Sequence, residues 1–347
     1  MGNCGCPRVP CMSGPNISYN ACTSFIMKVV GMDLPHRSRS SASVTIWEYL
    51  VALSVNQLNF GPNATWNQNA TTFANQTTVG SSPCGIFVNT NNSIYVADKQ
   101  NNRIQVWTNN NIDPTMTIYG NLSSPMTLFV TTNGDIYVDN GNNQQVDKFT
   151  QNTNNSVSVM NVNEACFGLF IDINDTLYCS LVYYNQVIKK WLNDNTNTSI
   201  IAAGTSGSGS APNAFNGPRG IFVNINFDLY VADANNNRIQ LFHSGQLNGT
   251  TVAGNGSTNF TISLSGPTGI VLDANNYLFI VDSVNNRIVG SGPNGFQCLV
   301  GCSQVAGSAS NQLNHPLALS FDSSGNMYVT DQNNNRIQKF DLLTNCC

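Results

Sequence analysis

PRGIFVNINFDLYVADANNNRIQLF, from Pro218 to Phe242, decides the fold. It consists of an apolar stretch, a turn, a second apolar stretch ending in Asp233, and an Asn-rich turn closed by Arg238 and Ile239. The same pattern reads PCGIFVNTNNSIYVADKQNNRIQVW from Pro83 to Trp107 and PLALSFDSSGNMYVTDQNNNRIQKF from Pro316 to Phe340. Six copies run between these limits, with cores starting near residues 83, 125, 166, 218, 267 and 316. No single copy could bury its own apolar faces, so a repeat of roughly forty to fifty residues built from short strands points to a propeller or a similar array.

The first strand of each copy is apolar on both faces: Ile86, Phe87 and Val88 recur as Leu128, Phe129 and Val130, then as Ile221, Phe222 and Val223. Such a strand must be covered on both sides, which makes it the inner strand. A β-branched and aromatic second strand follows a turn containing Asn, Asp or Gly. The third strand starts after the Asn-rich turn, at Arg103 in the first copy, and a more variable fourth precedes the next copy, as in GTTVAG from Gly249 and FQCLVG from Phe296. Four antiparallel strands make one blade. The chain past Phe340 is too short for a sixth fourth strand, whereas ATTFA, from Ala70 to Ala74, lies upstream of Pro83 much as TTVAG lies upstream of Pro267. The expected fold is an all-β, six-bladed β-propeller of four-stranded antiparallel blades, closed by an N-terminal strand that completes the last blade and removes exposed edges. Residues 61–347 form this propeller; residues 1–60 lack the repeat and are expected to be a poorly ordered or partly helical segment.

The phrases YVADKQNNRIQVW, YVADANNNRIQLF, FIVDSVNNRIVGS and YVTDQNNNRIQKF resemble the repeat signature of the NHL-repeat family of six-bladed propellers, and the resemblance covers residues 83–340. It implies a disc that recognises partners by its rim or channel. In tripartite-motif ubiquitin ligases such propellers recruit substrates or RNA behind a RING and B-boxes, which residues 1–60 lack. The related lyase module of peptide-amidating enzymes binds zinc through His at several positions just after the blade's opening proline. Here those positions hold Cys84, Met126, Phe167, Arg219, Thr268 and Leu317, none of them His.

The 347-residue chain is 41% apolar, only 9% charged, and carries a net charge of -4. Nucleic-acid affinity rests on clustered Lys and Arg, and the 14 basic residues form no stripe, so no nucleic-acid partner is expected. The longest apolar patch, Val44 to Val55, contains Glu48 and falls far short of the roughly 20 residues of a membrane span. Eleven cysteines are many for a reduced compartment. Cys166 with Cys179, and Cys298 with Cys302, could be short staples or small buried thiols. The second pairing needs Gly301 to bend the chain, because residues four apart in a strand are about 13 Å apart. About a dozen glycosylation triplets occur, Asn63, Asn121 and Asn248 among them, but roughly nine would arise by chance in a chain so rich in Asn, Ser and Thr. An extracellular or secretory location, with glycosylation, is the expectation. The start Met1-Gly-Asn-Cys-Gly-Cys shows no evident signal peptide, and Gly2 with Cys4 and Cys6 resembles dually acylated starts, leaving a cytoplasmic or acyl-anchored alternative. Cys4, Cys6, Cys11, Cys22 and His36 lack the paired spacing of zinc knuckles.

Four copies carry an Asp followed five residues later by Arg: Asp98 and Arg103, Asp233 and Arg238, Asp282 and Arg287, Asp331 and Arg336. The second copy has Asn140 and Gln145 instead, the third Leu181 and Gln186. Charges that vanish together compensate each other, so these are read as structural turn pairs. Channel mouths of propellers are natural pockets, and Cys84, Met126, Phe167, Arg219, Thr268 and Leu317 are the candidate ligand-binding ring. Arg219, its one charge, could anchor an anionic or polar ligand, or else pair with a neighbouring loop. Cys84 has no His in any aligned position and reads as a small buried hydrophobe rather than a nucleophile. No catalytic residue, cofactor or metal is expected. The function expected is a monomeric, non-catalytic recognition scaffold for a protein, glycan or small ligand; the alternative is a propeller hydrolase or lyase with a metal in the central channel.

Overall fold

The computed structural model describes residues 56–345 apart from 109–110, 151–152, 195, 197 and 258–261. The expectations on acylation at Gly2, on metal binding by Cys4, Cys6, Cys11, Cys22 and His36, and on order in residues 1–55 lie outside the described residues. Six four-stranded antiparallel sheets follow one another as the blades of a propeller. Blade 4 shows the logic. Its inner strand Pro218–Val223 pairs with Leu229–Asp233 through Ile221↔Val231 and Val223↔Leu229; Arg238–Phe242 and Thr250–Gly254 follow outward. Ile221, Phe222, Val223 and all five residues from Leu229 to Asp233 are buried, as strands covered by neighbouring sheets require.

The Asn-rich turns join one blade to the next. Asn237 adopts the left-handed region at φ 54°, which Asn tolerates better than most residues, and its Oδ1 accepts the N–H of Gly266, 2.9 Å away, just before blade 5. Asn102 accepts from Ser124, Asn185 from Gly217, Asn286 from His315 and Asn335 from Ser82 in the same way. The last of these links blade 6 to blade 1. Blade 2 carries Gln144 at this position. Its junction uses Asp139 Oδ1, which accepts the Cys166 N–H at 2.8 Å; only a blade that does not open on proline has that N–H to give. Small residues let inner strands approach at the axis: a Cβ on Gly168 would lie 2.5 Å from Arg219 O, and one on Gly220 would collide with Thr268 O.

Closure is as expected and is reinforced. Thr71–Ala74 is the outer strand of blade 6, with Thr71↔Lys339, Thr72↔Gln338 and Ala74↔Ile337. A second clasp, not foreseen from sequence, pairs Thr65–Trp66 with Leu342–Thr344.

Inside the channel the equivalent inner-strand positions are Phe87, Phe129, Phe170 and Phe222 in blades 1–4, packed tilted or edge-to-face at centroid distances of 5.1, 5.1 and 4.7 Å. In blades 5 and 6 they are Val271 and Ser320. Ser320 Oγ accepts the Val88 N–H, tying blade 6 to blade 1. Here residues 56–60 reach the disc. The Asn56 amide donates to the carbonyls of Val88, Asn89 and Phe321, and Phe60 packs among Trp66, Phe279 and Phe321 at centroid distances of 4.9–5.2 Å.

Candidate functional site

All six residues named from sequence, Cys84, Met126, Phe167, Arg219, Thr268 and Leu317, line one cavity of about 140 Å³ at the end of the channel where the inner strands begin. The phenylalanine ring and Asn56 form its floor. Phe87, Phe129, Phe170 and Phe222 also line a second cavity of about 170 Å³ at the opposite mouth, with Gln57, Thr131, Asp172 and Asn224. The aromatic ring therefore divides the channel.

Arg219 lines the first mouth, and a second cation, Lys99, lies near its blade 1 side without lining it. The Arg219 guanidinium lies over the Phe167 ring, 5.5 Å from its centroid, and burial pulls it below its ordinary value. Lys99, half-buried on blade 1, is close enough for its charge to act on the Cys84 thiol and on Asp139. Neither cation is in an ion pair among the described residues. Nearby negative charge is muted. Burial pushes Asp139 up to about 8, against hydrogen bonds from the Cys166 and Met126 backbone, and its Oδ2 has no hydrogen-bond partner. Cys84, only 2% exposed, is pushed up to about 11, mainly by burial, and takes a weak hydrogen bond from the Gln332 amide. A thiol held protonated in this way is a poor nucleophile.

The turns around this mouth divide into three kinds. Asp98, Asp233, Asp282 and Asp331 are each fully buried and each accepts from its Arg Nε at 2.6–2.7 Å: Arg103, Arg238, Arg287 and Arg336. The guanidinium then reaches carbonyls of the preceding loop, such as Ser308, Ala309 and Gln312 for Arg336. Blade 2 moves the carboxylate to its third strand. Asp147, at the place of Gln105 and Gln338, accepts from both Asn140 and Gln145. Blade 3 has no such network: Glu164 holds the turn from outside, accepting the N–H groups of Tyr183 and Tyr184 at 2.9–3.3 Å. That turn exposes both rings, Tyr183 at 81% and Tyr184 at 42%. Tyr183 is near enough to Arg219 to interact electrostatically. The paired tyrosines were open to discovery by aligning the third copy with the rest, since Tyr184 stands where every other blade has Asn and Tyr183 where three of them do. Glu164, Asp147 and Asn56 gave no such signal.

Cys166–Cys179 and Cys298–Cys302 are disulfides, and Gly301 takes the φ of +71° that bends the second loop. Among the described residues, no group of three or more His, Cys, Asp or Glu side chains is arranged to hold a metal ion. No helix among them is long and apolar enough to cross a membrane.

A family model described as "NHL repeat" matches residues 313–340, the sixth copy of the pattern. No curated protein matches the chain. Solved structures similar to it include a protein of unknown function from Bacteroides thetaiotaomicron, with 14% identity, 79% of this chain and 76% of that one covered, and a TM-score of 0.64. An auxiliary nutrient binding protein from the same organism gives 15% identity, coverage of 82% and 74%, and a TM-score of 0.59. Virginiamycin B lyase from Staphylococcus aureus gives 14%, coverage of 79% and 99%, and 0.54. At such identity the likeness is one of fold. With the matched repeat in its sixth blade and six sheets arranged like it, the chain is a six-bladed β-propeller that carries an NHL repeat.

Proposed function

We propose that the protein is a non-catalytic recognition scaffold that takes a small ligand at the channel mouth lined by Cys84, Met126, Phe167, Arg219, Thr268 and Leu317. The observation that carries this reading is the convergence of one residue from every blade on a single cavity that also holds a partly desolvated cation in no ion pair among the described residues. Pockets of this kind, mostly apolar with a few placed polar groups, are the usual small-molecule sites. The buried Cys84, its thiol pushed up to about 11 and so held protonated, favours binding over nucleophilic chemistry. Two disulfides support residence in the secretory pathway or outside the cell, where the chain would act as a glycosylated monomer. The test is carbon-13 methyl NMR of the intact protein during a metabolite screen. Binders should shift the Met126 methyl signal and be recovered chemically unchanged. Binders that map away from the mouth, or ligands recovered as products, would overturn the reading.

A further inference from the structure

We propose that the mouth selects a carboxylated six-membered ring, with the acid group on Arg219 and the ring face against Phe167 and Tyr183. This rests on the mouth being the binding site and adds the class of ligand and the residues that choose it.

Size comes first. A cavity of about 140 Å³ is close to the about 150 Å³ that accommodates benzene, so it has room for one ring. Charge comes next. In a protein of net charge -4, this mouth is lined by Arg219 on blade 4, and Lys99 on blade 1 lies near Cys84 at its edge, neither in an ion pair among the described residues. Blades 1 and 4 oppose each other across a six-bladed disc, so Arg219 supplies the contact from one side and Lys99 adds positive potential at the Cys84 side. An arginine that spends hydration without gaining a carboxylate is incomplete until an anion arrives, and its planar fork matches a carboxylate with two parallel hydrogen bonds.

Shape comes last. Phe167 already stacks with the guanidinium, which fixes one side of the site. Tyr183 stands 81% exposed beside it because blade 3 lacks the Asp-Arg turn, and Glu164 clamps its backbone. With its backbone held, this exposed ring can turn onto the face of a bound ring. The second cavity lacks this combination: among the residues that line it the charged groups are Asp172 and Asp175, which would repel an acid.

The test titrates the full protein with two matched pairs, benzoate against benzamide and glucuronate against glucose, reading the Arg219 Nε–H and Met126 methyl NMR signals. The expected result is that an acid binds at least tenfold more tightly than its neutral partner. Arg219→Gln should remove that preference, Arg219→Lys should restore part of it, and Tyr183→Ala should weaken the acid without abolishing the preference. Which acid wins decides between an aromatic acid and an acidic sugar. If neutral and acidic partners bind equally well and Met126 responds, the mouth is the site but the ligand class is wrong. If no probe moves Met126 or Arg219, both readings fail. Thermal melting of each variant confirms that it folds.

Discussion

The Asp331–Arg336 pair offers a worked test of how the blades are held. Asp331 has no exposed surface; its Oδ1 accepts from Asn314 N–H at 2.7 Å, and its Oδ2 from Asn334 at 2.8 Å and Arg336 Nε at 2.7 Å. Arg336→Gln removes the charge paired with Asp331 and frees three loop carbonyls, those of Ser308, Ala309 and Gln312. Breaking a buried pair from one side costs about 3–5 kcal/mol. At roughly 2–4 °C per kcal/mol for a domain of this size, 3 kcal/mol lowers the Tm by about 6–12 °C. Blade 2 shows what a neutral turn needs: Asn140 and Gln145 both donate to Asp147. The double variant Asp331→Asn with Arg336→Gln should therefore remain destabilised, because Gln338 stands where Asp147 would be needed. Adding Gln338→Asp should recover about 1–2 kcal/mol by supplying the missing acceptor for two amides. Differential scanning calorimetry and urea unfolding measure all three. A cost below 1 kcal/mol for Arg336→Gln, or a triple variant no more stable than the double, would refute the reasoning.

Three further outcomes follow from other sites. Asp139 ionises near pH 4 when unfolded and near 8 when folded, so the folded state holds the extra proton between these values and stability falls as pH rises from about 4 to about 8, by at most about 1.4 kcal/mol per unit; Asp139→Asn should flatten that slope in urea titrations at pH 5 and 7, and parallel curves for the two proteins would count against it. Deleting residues 61–80 removes Thr71–Ala74 and Trp66, exposing the edge of blade 6, and should give unfolded or aggregated protein; a monomer of unchanged Tm would disprove the closure argument. Cys84, buried and shifted to about 11, should resist iodoacetamide at pH 8 in the native state and react after denaturation, as read by peptide mass mapping; native labelling as fast as a free thiol would contradict it.

Periodicity and turn chemistry are local properties, and they made the architecture legible from the chain alone. The repeated inner-strand triplets, the Asp and Arg five residues apart, and ATTFA lying upstream of the first copy led to six closed blades, and the start of each inner strand led to the six residues of the mouth. The roles of the Asn residues were not legible, because a left-handed turn is visible in composition while its acceptance of the next blade's N–H depends on how two blades stack. Compensation can also be seen only after folding. The loss of both charges in blade 2 reads as simple neutrality until the sheet brings Asp147 under Asn140 and Gln145. Likewise, Arg219 stood out as a charge in an apolar ring, but its stacking on Phe167, its lack of an ion pair among the described residues and the nearness of Tyr183 and Lys99 arise from four different parts of the chain. The sequence by itself determined the number of blades, their strands and their closure, since each rests on contacts that repeat at a fixed spacing. Tertiary structure alone decided the electrostatics of the mouth and the Asn56 contacts in the channel, since those depend on distances between residues far apart in the chain.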